Sequence, residues 1–471
     1  MIRVLLLAVC LFLAQQSIAT AGPPLEAAPG SAAPAAPTDP AAPSALRRAG
    51  QDAQPAPDEA PAAEQPTPSP PADVSPAQET PPPAAQPGER AGQTIEDEVE
   101  AEEPDEPAAG GTPRDLATFA ESTMGARRLR FALNAFGDAS LIESIPDAPD
   151  RDERSYFQLG TLALLINAQL GSSLLGIAEM AFDAKTSEGQ DVQDVKLERL
   201  QLRWQTDRYY VTGGRLHTDI GYWNAAFHHG AWLFLPVVRP RVVRGEGGGG
   251  LLPIHWIGLE AGLMLPIEPG LLIVSAGVGN GRGDAESSIQ LRSDTNDFKA
   301  LKLKVEYQGL GLPDLRVGAA GLYDHIAAKD MLERPALPDE EIDEYIGNVF
   351  AAYRGVQTTI IAEGYGIFHH ADDHTFSTTD AFVVAGYRIG RVTPYVLVER
   401  TDALGSRQDP FYTPDPTMPT ASTPVDQTNA IGGVRLDVSV WSALKAEYGM
   451  LYPDDADGPD HTVMLNWSFG I

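Results

Sequence analysis

The sequence predicts an all-β chain: a transmembrane antiparallel β-barrel of about sixteen strands with a long loop folded inward, preceded by a disordered Pro/Ala-rich linker. Three observations carry this. Apolar and polar residues alternate with period two in segment after segment of residues 125–471. The connections between those segments alternate between short and long. No apolar run exceeds Val4 to Ala14, well short of the roughly 20 residues a membrane-spanning helix needs.

The chain begins with Arg3, the apolar stretch from Val4 to Ala14 and the small residues Ala19-Thr20-Ala21, the three parts of a secretory signal. Residues 1–21 are therefore expected to be a signal peptide cleaved after Ala21. Cys10, the only cysteine, sits inside the apolar run behind the bulky Val9, which argues against a lipid-anchored N-terminus. A disulfide framework and a cysteine metal site are excluded. Residues 22–124 read as the linker. Gly22 to Pro113 holds 22 of the 40 prolines, and its large apolar residues are limited to Leu25, Leu46, Val74, Ile95 and Val99, too few to offset the entropy of ordering. Glu96 to Glu106 carries eight carboxylates and no base. It reads as a self-repelling spacer, the alternative being electrostatic docking onto a basic envelope partner; a periplasmic or peptidoglycan contact through the linker is a further expectation. A net charge of −31 without a Lys/Arg-rich block excludes a nucleic-acid binder.

From residue 125 onward the segment rhythm gives sixteen candidate strands, near 127–137, 155–169, 173–183, 194–205, 208–216, 253–265, 271–280, 298–308, 314–324, 343–354, 356–367, 378–388, 391–400, 428–439, 441–452 and 461–471. Leu301, Leu303, Val305 and Tyr307 take one face of their segment while Lys302, Lys304 and Glu306 take the other. Val317 and Tyr323 oppose Arg316, Val434 and Leu436 oppose Arg435, and Leu444, Ala446 and Tyr448 oppose Lys445 and Glu447. Val463, Leu465, Trp467, Phe469 and Ile471 form the apolar face of the final segment. In a barrel whose outer face is apolar, the charged set becomes a lumen-facing wall. That wall is expected to comprise Arg215, Glu260, Lys302, Lys304, Glu306, Arg316, Arg435, Lys445 and Glu447.

Alternation by itself also fits a soluble β-sandwich. Two features weigh against one. These segments are longer than sandwich strands, and aromatics such as Tyr156, Tyr307, Tyr345, Tyr387 and Trp467 recur near segment ends on the apolar parity, as interfacial girdles do. Two local conflicts stand out: the apolar parity changes between Leu197 and Leu200, which predicts a bulge or a misplaced boundary, and Pro394 interrupts a strand that needs its donors.

The longest connection, His217 to Leu252, is the least loop-like, because Tyr222, Trp223, Phe227, Trp232, Phe234 and Leu235 must pack somewhere. In a sixteen-stranded barrel that place is the lumen. The stretch Gly214-Arg215-Leu216-His217-Thr218-Asp219-Ile220-Gly221-Tyr222-Trp223-Asn224-Ala225-Ala226-Phe227-His228-His229-Gly230-Ala231-Trp232 resembles one found in porin-like proteins of Gram-negative bacteria, within the wider superfamily that includes the phosphate-selective porins. The resemblance implies an outer-membrane diffusion channel for small hydrophilic solutes or ions, commonly a homotrimer, with the loop at the constriction. Carried over residue by residue, it assigns the constriction to His217, Asp219, Tyr222, Trp223, Asn224, His228, His229, Trp232, Arg239, Arg241, Arg244 and Glu246. The general-porin sequence Pro-Glu-Phe-Gly-Gly is absent, so no size cut-off follows, and the chain ends in Ile471 where such chains commonly end in Phe.

His228 and His229, and His369, His370 and His374 beside Asp372 and Asp373, supply metal-ligand residue types without a fixed geometry, so no metal and no cofactor is expected. Arg239, Arg241 and Arg244 would favour phosphate or carboxylate solutes if they face the pore, or pair with acidic wall residues and lipopolysaccharide if they do not. Outer-membrane lipid and lipopolysaccharide are the expected surroundings. The alternatives are a structural envelope tether or adhesin barrel and a barrel-type hydrolase; Ser172, Ser173, Ser275 and Ser287 lie in no nucleophile motif, and the chain is not expected to be an enzyme. Deleting Gly22 to Pro113 behind a retained signal should leave folding and bilayer conductance intact; failure of the truncated chain to insert would give the segment a role in assembly.

Overall fold

The computed structural model describes residues 119–124, 127–146, 154–187, 190–227, 230–244, 250–282, 297–328, 340–403, 409–412, 425–454 and 456–471. The expected signal peptide, nearly all of the stretch read as linker, His228, His229 and Glu246 lie outside them. In chain order the strands are β1 (Phe119–Met124), β2 (Arg127–Ile145), β3 (Arg154–Leu159), β4 (Leu162–Leu170), β5 (Leu174–Ser187), β6 (Gln190–Gln205), β7 (Tyr209–His217), β8 (His255–Ile267), β9 (Gly270–Gly279), β10 (Ala300–Gln308), β11 (Leu315–Ile326), β12 (Ile342–Arg354), β13 (Thr358–Ala371), β14 (His374–Tyr387), β15 (Val392–Asp402), β16 (Gln427–Ser439), β17 (Ser442–Pro453) and β18 (Asp460–Gly470).

Each strand from β4 to β18 pairs antiparallel with the next, and β18 closes on β2 from His461 opposite Ile145 to Gly470 opposite Phe136. The chain end completes the seam, with Ala135 N donating to Ile471 O at 2.8 Å and Ile471 N to Ala135 O at 2.9 Å. β3 and β4 both pair with β2 and act as one wall strand interrupted at Gly160-Thr161, so the ring has sixteen positions. At the interruption Gly160 N donates to Asp138 O, and a Cβ on Gly160 would meet the Asp138 carboxylate at 2.2 Å. β1 is additional. It pairs with Arg127–Ala132, the part of the long β2 that extends beyond β18, and it lies in the stretch read from sequence as linker.

Every expected strand has its counterpart. The Leu197/Leu200 conflict is a bulge: Arg199 pairs with Glu179 and Leu197 with Met180, leaving Glu198 as the extra residue. Pro394 lies one residue outside the β14–β15 ladder, which runs from Asp402 to Tyr395, so its missing N–H opens no gap there. Two long connections become short. β5 pairs with β6 as far as Ser187 opposite Gln190, and β13 meets β14 across Asp372-Asp373, with Asp372 at φ +47°. The expected His369–His374 loop is thereby corrected to two strand ends. Arg215 is a second correction. It pairs with Leu200 and Ile257 on the outer parity, because the side-chain-less Gly213 and Gly214 hide the alternation of β7 from the sequence.

The wall is inverted relative to a soluble protein. In β10, Leu301 and Leu303 are 50% and 56% exposed on the outside while Lys302 and Lys304 are 3% and 6% exposed within. Val396, Val398, Leu444, Leu465 and Trp467 continue the outer apolar belt. Such a surface is stable only with hydrocarbon as its solvent, and a closed ring leaves no ladder edge unpaired there. Leu303→Arg at mid-strand should therefore lower the free energy of folding into phospholipid vesicles by about 2–4 kcal/mol. Urea titration in vesicles measures it, and an unchanged midpoint would place Leu303 away from lipid.

Candidate functional site

The connection from β7 to β8 starts as an extension of the ladder. Thr218 N donates to Ile254 O at 2.9 Å, and Asn224 Nδ2 donates to Thr218 Oγ1 at 3.0 Å. Asp219 at φ +36° and Gly221 at φ +84° then turn the chain into the barrel. Gly221 is required, since a Cβ there would meet Glu363 Oε2 and Tyr365 Oη at 2.2 Å. One helical turn, α1 (Trp223–Ala226), follows, and its free N-terminal N–H groups find an acceptor on β13: Tyr222 N and Trp223 N donate to Glu363 at 3.0 and 2.7 Å.

Beyond α1 the loop crosses the lumen. Lys445 Nζ on β17 donates to Ala231 O at 2.5 Å and Phe234 O at 2.9 Å, and Arg435 on β16 donates to Trp232 O at 2.5 Å. Val237 N donates to Glu447 Oε1 at 2.5 Å, and Arg241 N donates to Glu399 on β15. Trp223 is 1% exposed, edge-on to Phe382 at 5.8 Å, and Tyr222 lies 6.1 Å from Phe350. With Ile220, Phe227, Phe234, Val242 and Val243 they form an apolar core against the inner faces of β11 to β16, where Leu322, Ile346, Ile361, Val384 and Leu397 point inward. Trp232 reaches the seam, beneath Arg435 at 5.7 Å and against Gly470.

The opposite wall is charged. Arg199 Nε contacts Glu179 at 2.5 Å, Arg203 Nε donates to Thr212 at 2.9 Å, and Tyr210 Oη donates to Glu260 at 2.9 Å. Arg239, from the loop, lies in the field of this side: burial pulls its guanidinium below its ordinary pKa, and the carboxylates of Asp138, Glu179, Glu198 and Asp183 oppose that pull. Arg244 Nε donates to Arg239 O at 3.1 Å, and Glu399 and Asp380 lie in the field of Arg241 and Arg244.

Lys302 and Lys304 fasten the loop entry. Both contact Asp219, Lys304 at 3.3 Å, and Lys302 also contacts Glu260. Burial would raise the Asp219 pKa, but the two ammonium groups outweigh it and hold it below its ordinary 3.8. Glu306 pairs with Lys304 at 3.4 Å and Arg316 at 3.7 Å, and Arg316 lies 5.9 Å from the Tyr222 ring. His217 packs on His255 at 5.1 Å at the loop mouth.

Sequence reasoning missed Glu363 and Glu399, although inward parity in their segments marks both. It also missed a buried cluster above the same side of the lumen. Arg282 donates to Glu344 at 2.6 Å and its N–H to Asp324 at 2.7 Å; His369 bridges Glu344 at 3.0 Å and Asp409 at 2.7 Å. Arg282 also donates to Leu251 O at 3.1 Å, which ties three loops together. No spacing in the sequence announces that cluster, because its members lie on five elements.

No protein-family model matches the chain, and no curated protein matches it. Among solved structures it is similar to the outer membrane channel DcaP of Acinetobacter baumannii, with 11% identity over 73% of this chain and 97% of that one and a TM-score of 0.49. It is likewise similar to OmpT, an outer membrane protein of Vibrio cholerae, with 13% identity over 73% and 98% and a TM-score of 0.46. OprB of Pseudomonas putida gives 11% identity over 73% and 94% and a TM-score of 0.46.

Glu363→Gln keeps one acceptor oxygen and turns an amide N–H₂ toward one of the two N–H donors, Tyr222 N or Trp223 N, which should cost about 1–3 kcal/mol of loop anchoring. Tryptophan quenching by iodide reads the release of Trp223: quenching should rise in the variant, and an unchanged value would remove Glu363 from the anchor.

Proposed function

We propose that the chain is an outer-membrane porin, a passive channel for small hydrophilic solutes or ions, with the β7–β8 loop as its constriction. The observation that carries this reading is the loop itself: it is bonded to lumen-facing side chains on β10, β13, β15, β16 and β17, and packs on the apolar inner side of β11 to β16. The passage is then bounded by Arg239 on one side and by Glu179, Glu198, Arg199 and Arg203 on the other. A wall that alternates sign across a narrow gap passes hydrated solutes and filters them by charge. The linker would lie in the periplasm, and the homotrimer and the lipopolysaccharide contact belong to the same reading, supported by the resemblance of the loop entry.

Two electrostatic tendencies compete. Residues 125–471 hold 29 basic and 46 acidic groups, about −17 in all, which draws cations into the vestibule. Charges farther than roughly 8 Å are screened at physiological salt, so the groups at the gap dominate permeation. Replacing Arg239, Arg241 and Arg244 together by Ala should shift the reversal potential in a KCl gradient toward the cation limit. Excising the loop should raise single-channel conductance. Unchanged values in both measurements would place the loop outside the ion path.

A further inference from the structure

Behind Arg241, on the loop side of the barrel, lies a cavity of about 470 Å³. Its walls are the returning limb of the constriction loop (Val238, Arg241 and Arg244) and the inner faces of β16, β17 and β18 at their loop ends. Three features of its lining bear on what it holds. Val238, Ile431, Leu451 and Met464 make part of it apolar. Its charged lining is two guanidinium groups and one carboxylate: Arg241, Arg244 and Glu447. Glu447 is 5% exposed; its Oε1 accepts from Val237 N and from Tyr395 Oη at 2.8 Å, while its Oε2 has no hydrogen-bond partner among the described residues.

A buried carboxylate oxygen beside a cavity is an acceptor in want of a donor. A solute that is only an anion would meet the Glu447 carboxylate with no donor to offer it, and one that is only a cation would meet two guanidinium groups. A solute carrying both charges, separated by the width of an amino-acid headgroup, complements both and brings no net charge that needs a counter-ion. The apolar wall suits a hydrocarbon side chain, and the volume accommodates a leucine-sized molecule with water.

We propose that this cavity is a binding subsite for small zwitterions of the amino-acid class with apolar side chains, the carboxylate taken by Arg241 and Arg244 and the ammonium group by Glu447 Oε2. The inference deepens the channel reading by giving it a solute class. Equilibrium dialysis of radiolabelled leucine against the full chain in detergent tests it without requiring conduction. Saturable binding is expected, with N-acetyl-leucine and leucine methyl ester each competing about tenfold more weakly, since each loses one charge-assisted contact. Glu447→Gln and Arg244→Ala should each weaken leucine binding by about the same factor. Met464→Trp, which fills the cavity and leaves the anchoring bonds of the loop in place, should abolish it. Equal competition by either derivative, or no saturable leucine binding by a protein that conducts KCl in planar bilayers, overturns the subsite and leaves the channel. Leucine binding by a protein that does not conduct keeps the subsite and overturns the channel.

Discussion

A loop inside a barrel carries a backbone whose N–H and C=O groups have lost bulk water, and each must find a partner in the lumen. The wall supplies those partners. Glu363, Glu399 and Glu447 accept backbone N–H groups, while Lys445 and Arg435 donate to backbone carbonyls. Hydrogen bonds from neutral backbone to an ionised group are about twice as strong as neutral pairs, so five side chains on four strands fix one loop conformation. The aromatic packing of Trp223 and Phe234 follows from this placement, because the ionic anchors bring the loop to an apolar stretch of the inner wall.

That division of the lumen into an apolar and a charged side organises the rest. On β11 to β16 the inner face mixes Leu, Ile and Phe with the anchoring carboxylates, and the loop covers it. On β5 to β8 the inner face holds Glu179, Arg199, Arg203 and Glu260, which are bonded to one another or to neighbouring wall residues. The cluster of Arg282, Glu344, His369 and Asp409 sits above the covered side, where Arg282 bonds both Glu344 and Leu251 O and so ties the mouth to the returning limb of the loop. Charges taken that far out of water persist only when each is paired; here Arg282 pairs with Glu344, and His369 lies between Glu344 and Asp409 within hydrogen-bond distance of both.

The barrel was legible because period two is a local property: Lys302, Lys304 and Glu306 disclose the inner face of β10 from its nine residues of sequence. The inward path of the loop was legible in Trp223 and Trp232, whose apolar area had to be covered. Local reading ends where the register is hidden. Gly213-Gly214 concealed the outward turn of Arg215, and Asp372-Asp373 offered no sign that so short a connection joins two long strands. β1 escaped because Phe119–Met124 has too few apolar residues to show alternation and is held only by the surplus length of β2. The partners of the loop, from Asp219 with Lys302 to Ala231 with Lys445, lie 83 to 214 residues apart, and only closure of the ring brings them together.

The most direct test of a loop that crosses the lumen and narrows it uses the absence of any cysteine other than Cys10. In the Arg239→Cys variant, a cationic methanethiosulfonate reagent is added during single-channel recording in a planar bilayer. A discrete, thiol-reversible fall in current on modification is the predicted result. A position that is modified, as mass spectrometry would confirm, with no change in current would contradict the account.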